Sequence, residues 1–357
     1  MTQKQLNEIL DQFDIPASIT PYGNGHINDT YLVTTPMYIM QRINTNIFKS
    51  PDELMDNIEN VTAFLREKIV AAGGNPDRET LTVIPTKDGK KYYRLDDQNV
   101  FRVYLFVVDT KSIENSKTPE DLFEAGVGFG HFQMLLADFP VEKLYETIKD
   151  FHHTPKRIEA LKTAIAENKA GRADSVQDEI KFALDQVEWA GSVVAGLEDG
   201  SIPVRVTHND TKINNILFDQ ETGKAVCVID LDTVMPGSML YDFGDALRMG
   251  GSTAAEDETD LDKVWFDKEC FEAFAKGYLS EMKDSLNEKE ISLMPLSVKL
   301  MTYECGIRFL TDYLNGDTYF KIHREHHNLD RCRNQFKLVA DITAKEAELA
   351  KIIKSCI

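Results

Sequence analysis

Hydrophobic and polar positions follow a short period over the first hundred residues and a helical period over most of the rest. β-prone, alternating stretches predict strands in ITPYGNGHINDTYLVTT, MYIMQRIN, LTVIP, KKYYRL and VFRVYLFVV. The stretch SPDELMDNIENVTAFLREKIVAAGG predicts a helix, with Ser50 as N-cap, Pro51 as the first helical residue and Gly73 at its end. The N-terminal part is therefore expected to be strand-rich with a single helix.

The pattern changes after Asp109. TPEDLFEAGVGFGHFQMLLADF predicts a helix that begins after Thr118, with apolar residues three and four positions apart. Because GVGFG lies inside this helical pattern and not after a strand, it indicates helix packing through small residues, not a nucleotide loop. Helices continue to about Gly196, a β-prone island covers 204–229, and helices return from about residue 260. We predict two lobes, 1–110 and 111–357.

Composition and charge narrow the classes of function. The chain has 357 residues, is 42% hydrophobic and has a formal net charge of −19. Such a charge argues against a nucleic-acid partner, since phosphate binding needs clustered Lys and Arg. No stretch is apolar for long enough to cross a membrane, and the N-terminus lacks the features of a secretory signal. The five cysteines are widely spaced and form no C-x-x-C pair. We expect a cytoplasmic protein with unpaired thiols and no obligatory protein partner.

Ionisable side chains concentrate in VTHNDTKINNILFDQETGKAVCVIDLD, where polar loops interrupt two apolar runs. His208, Asp210 and Asn215 share one loop, and Asp230 and Asp232 follow the next predicted strand. We expect these groups to lie close together. Phosphoryl transfer needs this set: one carboxylate takes the acceptor proton, while a second carboxylate and an amide oxygen hold Mg²⁺ against nucleotide phosphates.

The motif HNDTKINN resembles the H-x-D-x-x-x-x-N catalytic loop shared by protein kinases and the aminoglycoside phosphotransferase/choline kinase family. VIDLD resembles the strand that ends in their metal-binding aspartate. The resemblance implies an α+β, protein-kinase-like two-lobe fold with a small antiparallel β-sheet N-lobe with one helix and a larger, mainly helical C-lobe. PYGNGHINDTY, QRINTNIF and VIDLDTVMPGS further resemble sugar kinases that use ATP and Mg²⁺ to phosphorylate the anomeric 1-hydroxyl of N-acetylhexosamines. The similarity runs from about Tyr22 to Tyr319.

The resemblance implies roles for the residues of the motif region. Asp210 would be the catalytic base, and Lys212 would neutralise charge on the transferred phosphoryl group. Asn215 and Asp230 would be Mg²⁺ ligands, with Asp232 as a further candidate ligand. His208 is expected to brace the loop and not to transfer a proton.

The nucleotide side is less regular. The resemblance implies cofactor contacts from Gly23, Gly25, His26, Asn28, Arg42, Glu59, Tyr104 and Phe106. YGNGHINDTY has only two glycines, and an ordinary hairpin turn would look similar. Arg42 stands where these kinases have a phosphate-binding lysine, and Gln41 is the alternative. The partner of the phosphate-binding residue would be a glutamate of the predicted helix, Glu59, with Glu53 as the alternative. VYLFVVD would be the hinge that lies along the adenine.

The acceptor site follows from the resemblance alone. Thr233, Arg308 and Tyr319 would contact the sugar, although Arg308 could be a paired helix residue and Tyr319 a packed aromatic.

Two further features have structural interpretations. Asp242 and Asp245 in YDFGDALR are expected to cap and brace the following helix. The HREHH segment has zinc-like spacing but no obvious further ligand, so we expect a solvated helix face.

Other functions stay open at this point. Within the same fold, the acceptor could be choline, homoserine, methylthioribose or an aminoglycoside. Choline and the aminoglycosides are cationic and would favour a carboxylate-rich or aromatic pocket. A non-catalytic nucleotide-binding module would lack a base or a metal ligand, whereas Asp210, Asn215 and Asp230 are all present. A scaffold protein would show no Mg²⁺-dependent effect of ATP.

Overall fold

A computed structural model describes residues 1–15, 18–22, 28–34, 37–113 and 118–357. The strands are β1 (Ser18–Pro21), β2 (Asp29–Thr34), β3 (Tyr38–Ile43), β4 (Val83–Ile84), β5 (Tyr93–Arg94), β6 (Val100–Leu105), β7 (Thr110–Lys111), β8 (Arg205–Thr207), β9 (Ile216–Asp219), β10 (Ala225–Val228) and β11 (Met235–Gly237). The helices are α1 (Gln3–Asp11), α2 (Pro51–Ala71), α3 (Pro76–Glu79), α4 (Pro119–Leu135), α5 (Thr154–Glu167), α6 (Gln177–Asp185), α7 (Val187–Ala190), α8 (Ser192–Glu198), α9 (Met239–Gly250), α10 (Lys268–Met282), α11 (Glu288–Asn315) and α12 (His327–Cys356). Short 3₁₀ helices cover Val141–Lys143, Ala173–Ser175, Ile213–Asn215, Leu231–Thr233, Leu261–Lys263 and Lys283–Ser285.

The chain forms two compact units. The first unit gathers Met1–Ser112, Leu135–Lys149 and Ile216–Pro236, and the second gathers Ile113–Met134, Asp150–Asn215 and Gly237–Ile357. The first contains the antiparallel sheet and the second is mainly helical, which confirms the expected fold class. Each unit draws on separate segments of the chain, whereas the predicted lobes, 1–110 and 111–357, are continuous. That division stays a prediction.

The large sheet of the first unit has the order β1-β2-β3-β6-β4, and β5 also pairs with β6. All of these pairings are antiparallel. Phe101 and Val103 of β6 join a hydrophobic cluster with Leu6, Ile9 and Leu10 of α1. Because successive side chains of a strand point to opposite faces, Arg102 and Tyr104 face away from α1.

The helices of the first unit show both agreement and difference. α2 begins as expected: the N–H of Glu53 donates to Ser50 Oγ at 3.4 Å, and Pro51 is its first residue. We expected one helix, but α1 and α3 are present as well. α1 begins at a capping box, in which the side chains of Thr2 and Gln5 each accept the backbone N–H of the other residue. With nine residues it is too short for its apolar positions to establish a period.

The GVGFG segment packs as predicted. Its glycines lie in α4, against α10 of the same unit. A Cβ added at Gly130 would lie 2.8 Å from the carbonyl oxygen of Tyr278, and one added at Gly126 would meet the carbonyl of Phe274 even more closely. Gly277 of α10 reciprocates against the carbonyl of Phe123. These small residues let the two helix backbones approach each other.

The HREHH prediction is wrong in part. His323 precedes α12 and His327 is its first residue, so the two do not share a helix face. His327 is buried, its Nε2 lies 3.0 Å from Asp257 Oδ2, and its Nδ1 accepts the N–H of His323 at 3.2 Å. The buried His327 thus has one partner outside the motif, Asp257, and one within it, His323.

Two properties of the described part concern the environment of the protein. None of its helices is long and apolar enough to cross a membrane. All five cysteines are free thiols: Cys227, Cys270, Cys305, Cys332 and Cys356. Burial raises the pKa of the Cys305 thiol to about 12, so this side chain is protonated and unreactive near neutral pH.

Candidate active site

The loop that follows β8 in the second unit carries the predicted base. Lys212 Nζ lies 2.7 Å from Asp210 Oδ1 and 3.0 Å from Oδ2, and the two side chains are 33% and 18% exposed. Burial acts to raise the pKa of Asp210, but the charge and hydrogen bond of Lys212 outweigh it and lower that pKa. Asp210 is therefore an ionised carboxylate near neutral pH, the state that accepts a proton.

Asn215 ends the short 3₁₀ helix after this loop and turns back onto it. Its Nδ2 donates to the backbone oxygen of Asp210 at 2.7 Å and lies 3.4 Å from Asp210 Oδ2. Because the nitrogen of the amide is directed at Asp210, the amide oxygen is the end that a cation could use.

Asp242 of α9 holds the backbone of the loop. Its Oδ2 accepts the N–H of His208 at 2.8 Å and its Oδ1 accepts the N–H of Asn209 at 2.7 Å. The side-chain amide of Gln133 also donates to this carboxylate. Burial raises the pKa of Asp242, although His208 and the backbone donors act in the opposite direction. Asp242 thus fixes the residues that lead into the predicted base.

Asp245, one turn later on α9, makes a similar contact. Its Oδ2 accepts the N–H of Thr211 at 3.1 Å, and its Oδ1 accepts from Arg248 Nε at 3.1 Å. The prediction that Asp242 and Asp245 cap the helix is wrong, because Ser238 is the N-cap of α9 and both carboxylates hold the loop before it. Bracing of the helix is found for Asp245, which pairs with Arg248 of α9. The expected bracing role of His208 is confirmed, since its Nδ1 accepts the N–H of Asp210 at 3.2 Å.

The strand end of the first unit carries the other predicted carboxylates. Asp230 has a left-handed backbone conformation, with φ of 60° and ψ of 53°. Asp232 is 2% exposed. Its Oδ2 accepts from Asn28 Nδ2 at 2.6 Å, and its Oδ1 lies 2.5 Å from Arg102 Nη2. Oδ2 of Asp232 thus accepts a hydrogen bond, whereas Oδ1 is held by the ion pair with Arg102 and has no hydrogen-bond partner among the described residues. This arrangement suits an anchoring role.

Arg102 is the residue of this region that the sequence-based prediction missed. It is 1% exposed, and its Nε and Nη2 donate to Gln41 Oε1 at 3.0 and 2.8 Å. Its pKa is raised, because Asp232, Tyr104 and Asp230 together outweigh burial, the largest single influence. An arginine within the apolar strand VFRVYLFVV was the available signal, since a buried charge requires a partner.

The expected pair between Arg42 and Glu59 is absent, because each side chain has another partner. Arg42 Nε donates to Asp29 Oδ2 at 2.7 Å, across the β2–β3 pairing in which these residues are opposite each other. Glu59 Oε2 lies 2.7 Å from Lys91 Nζ. Gln41, the open alternative to Arg42, faces Arg102 instead.

Two residues of the predicted hinge, Tyr104 and Phe106, lie in different environments. Tyr104 is 4% exposed, lies under the Arg102 guanidinium at 5.2 Å, and its hydroxyl has no hydrogen-bond partner among the described residues. Phe106 packs edge-on against Tyr22 with ring centroids 6.2 Å apart. Phe106 is therefore better placed than Tyr104 to face a flat ring. Gly23, Gly25 and His26 lie outside the described residues.

The predicted acceptor residues fall in both units. Thr233 is buried in the first unit, directly after Asp232. In the second unit, the Arg308 guanidinium lies 5.8 Å from the ring centre of Phe151 and 5.4 Å from that of Phe320. Tyr319 is 66% exposed, and its ring packs edge-on against that of Phe320 with centroids 4.8 Å apart. Arg308 and Tyr319 thus border the same aromatic surface, whereas Thr233 belongs to a different compact unit.

Comparisons with known proteins give the family. Residues 18–283 match the phosphotransferase enzyme family. The chain belongs to this family. The matched residues include the Asp210 loop and the Asp230 strand end, and they end before Arg308 and Tyr319.

Solved structures similar to this phosphotransferase share its fold at low identity. An aminoglycoside phosphotransferase from Alicyclobacillus acidocaldarius is 13% identical with a TM-score of 0.65, over 98% of this chain and 96% of that one. A spectinomycin phosphotransferase in complex with ADP and spectinomycin is 14% identical with a TM-score of 0.62, over 98% and 99%. A microcompartment-associated aminopropanol kinase is 17% identical with a TM-score of 0.60, over 97% and 98%.

Proposed function

We propose that this phosphotransferase acts in the cytoplasm and transfers the γ-phosphoryl group of ATP to the anomeric hydroxyl of an N-acetylhexosamine. The observation that supports it best is Asp210, an ionised carboxylate paired with Lys212 on a loop whose backbone is held by Asp242 and Asp245. Such a fixed carboxylate suits a general base for a sugar hydroxyl. The free cysteines agree with a reducing compartment.

The transfer would proceed in one displacement. The 1-hydroxyl oxygen of the sugar forms a bond to the γ-phosphorus, and the bond from that phosphorus to the oxygen bridging the β-phosphate breaks. The hydroxyl proton passes to Asp210, and ADP leaves with the bridging oxygen. Burial acts to lower the pKa of Lys212, but the charge of Asp210 outweighs burial and raises that pKa. Lys212 therefore remains cationic and opposes the negative charge on the transferred group.

Asn215 and Asp230 belong to different compact units, so their role as Mg²⁺ ligands is proposed from the resemblance of their motifs. Asn215 offers an amide oxygen, and Asp230 offers a carboxylate, the oxygen donors that Mg²⁺ takes in small number. When bound, Mg²⁺ would neutralise charge on the ATP phosphates. Asp232 fits less well because Asn28 and Arg102 occupy its oxygens. We therefore assign Asn215 and Asp230 as ligands and Asp232 as their anchoring neighbour.

The nucleotide contacts remain proposals. Gly23, Gly25 and His26 are assigned to the phosphate side by resemblance alone. Phe106 is assigned to the adenine, because its ring pairs with that of Tyr22. Asn28 supports this side from the interior by donating to Asp232.

Two arginines favour a neutral, oxygen-rich acceptor. Arg157 Nη2 donates to the backbone oxygen of Phe151, and burial together with the charge of Arg308 lowers the pKa of Arg157. Among the described residues, neither arginine has a carboxylate within ion-pair distance. The next residue, His152, contacts the carbonyl of Asn209 at 3.2 Å, so the segment that both arginines contact is joined to the catalytic loop. They would repel a cationic acceptor and can donate to hydroxyl and carbonyl oxygens of a sugar.

An acceptor panel tests this proposal. ATP consumption with Mg²⁺ is measured for N-acetylglucosamine, N-acetylgalactosamine, glucose, galactose, choline, homoserine, methylthioribose and kanamycin. Turnover confined to the N-acetylhexosamines supports the proposal, and turnover with choline or kanamycin contradicts the acceptor assignment. Arg308→Ala should raise the KM for sugar far more than the KM for ATP. Lys276→Ala, a change in an exposed residue of α10, is the matched control.

A further inference from the structure

His152, a buried histidine outside the sequence motifs, contacts the backbone of the catalytic loop. His152 is 8% exposed. Its Nδ1 lies 2.8 Å from Glu304 Oε1 on α11, and its Nε2 lies 3.2 Å from the backbone oxygen of Asn209. The ring is also packed against Phe151 and Tyr241, with centroid distances of 4.5 and 5.1 Å. Its orientation is therefore set by contacts on both edges and on its faces.

Both partners of this imidazole are hydrogen-bond acceptors. A backbone carbonyl can only accept, and Glu304 is ionised: burial acts to raise its pKa, but His152 and Thr154 outweigh burial and lower it. The second oxygen of Glu304 accepts from Thr154 Oγ1 at 2.6 Å. Each ring nitrogen therefore faces an acceptor, so a proton on Nε2 can be donated to the Asn209 carbonyl and a proton on Nδ1 to Glu304.

The carbonyl that His152 holds belongs to the peptide group that joins Asn209 to Asp210. The N–H of the same peptide group donates to His208 Nδ1 at 3.2 Å. Asn209 itself has a left-handed backbone, with φ of 64°. Such a conformation is unfavourable for a residue other than glycine and persists only where the surroundings hold it. The peptide plane before Asp210 is therefore fixed at both ends.

We propose that His152, paired with Glu304, is a positioning residue that holds the Asn209–Asp210 peptide and thereby aims the Asp210 carboxylate at the acceptor hydroxyl. The assignment of Asp210 as base rests on the proposed function. The His152–Glu304 pair itself does not, since its protonation and its hold on the loop are measurable without turnover.

The chain offers a matched control on the same helix. Glu290 is also a buried carboxylate of α11, and it is paired with Arg205 at 2.7 Å. Its hydrogen bonds go to Arg205 and to the N-cap residue Asn287. Glu304→Gln and Glu290→Gln therefore both remove a buried carboxylate charge, but only Glu304 has a partner, His152, that contacts the loop itself.

Nuclear magnetic resonance of the histidine ring nitrogens gives the first test. In the wild-type protein, we expect Nε2 of His152 to carry the proton that is donated to the Asn209 carbonyl. Hydrogen exchange gives the second: the Asp210 amide should exchange faster in Glu304→Gln and keep its wild-type rate in Glu290→Gln. An unprotonated Nε2 in His152, or equal exchange in the two variants, overturns the proposal whether or not the enzyme turns over.

Kinetics give the third test. Glu304→Gln should lower kcat by about 10- to 100-fold and leave the KM for ATP within about twofold, because a small misplacement of the base affects the chemical step. Glu290→Gln should leave kcat within about twofold, after correction for the folded fraction. A folded Glu304→Gln enzyme with wild-type kcat contradicts the positioning role. If no acceptor supports turnover in the wild type, the proposed function fails while the ring and exchange results still decide the pair.

Discussion

The catalytic loop of the second unit and the strand end of the first unit both set an aspartate against a cation, but at different depths. Asp210 and Lys212 are 18% and 33% exposed, so solvent reaches the pair. Asp232 and Arg102 are 3% and 1% exposed. The first pair can exchange its partners for a ligand at modest cost. The second cannot, since separating a buried pair leaves an uncompensated charge.

The contrast shows that a sequence motif alone does not distinguish residues that take part in the reaction from residues that stabilise the fold. Asp230 and Asp232 are two residues apart, and both were predicted as metal ligands. The structure engages both oxygens of Asp232 with Asn28 and Arg102. We therefore expect mutations in the exposed pair to change turnover and mutations in the buried pair to change stability.

The largest expected effect is the loss of the base. Asp210→Asn should lower kcat by about 10²- to 10⁴-fold, because the amide cannot accept the sugar proton at neutral pH. Steady-state kinetics measure the loss, and thermal denaturation should show a melting temperature close to that of the wild type. Asp232→Asn is the comparison variant, and it should lower the melting temperature. A folded Asp210→Asn enzyme with near-normal turnover would remove Asp210 as the base.

Removal of the buried cation should be the largest effect on stability. Arg102→Met should lower the free energy of unfolding by about 3–5 kcal/mol, because Asp232 is then buried without its counter-charge. Urea denaturation measures this change. The double variant Arg102→Met/Asp232→Leu should recover most of the loss. If the double variant is as unstable as the single one, packing and not charge accounts for the role of Arg102.

Removal of the exposed cation should change the pH dependence of turnover. Lys212 lowers the pKa of Asp210 against the effect of burial, so Lys212→Ala should raise that pKa. Since the base must be ionised, the acid limb of kcat/KM should move to higher pH, and Lys212→Arg should retain most of the wild-type profile. An acid limb that stays in place would show that Lys212 does not control the ionisation of Asp210.

The smallest effect should come from the surface arginine of β3. Arg42 and Asp29 are 38% and 50% exposed, so Arg42→Gln should change the free energy of unfolding by less than about 1 kcal/mol. We also expect the KM for ATP to change by no more than about threefold, about 0.7 kcal/mol. An increase of the KM of tenfold or more would assign Arg42 to the ATP phosphates after all.

The features that the sequence predicted correctly are local. The start of α2 depends on Ser50 and Pro51, and the packing of GVGFG depends on a helical period within one segment. The motif also placed Asp210, Lys212 and Asn215 on one loop, and the structure has their side chains in contact.

The features that the sequence did not predict depend on distant partners. Asp242 is 34 residues from His208, and Arg102 is paired with an aspartate far along the chain. Arg42 and Glu59 each had a closer partner in the fold, Asp29 and Lys91, which no local pattern specifies. Such contacts are set by strand register and by the packing of helices, and those become known only with the structure.

The measurement that tests the account most directly is the position of the phosphate in the product. The enzyme is incubated with ATP, Mg²⁺ and N-acetylglucosamine labelled with ¹³C at carbon 1, and the product is examined by ³¹P and ¹³C NMR. The account predicts a phosphorus–carbon coupling to the labelled carbon, which identifies a 1-phosphate, and no such product with Asp210→Asn. A product phosphorylated at another hydroxyl, or no phosphorylated sugar from the folded wild-type enzyme, would contradict it.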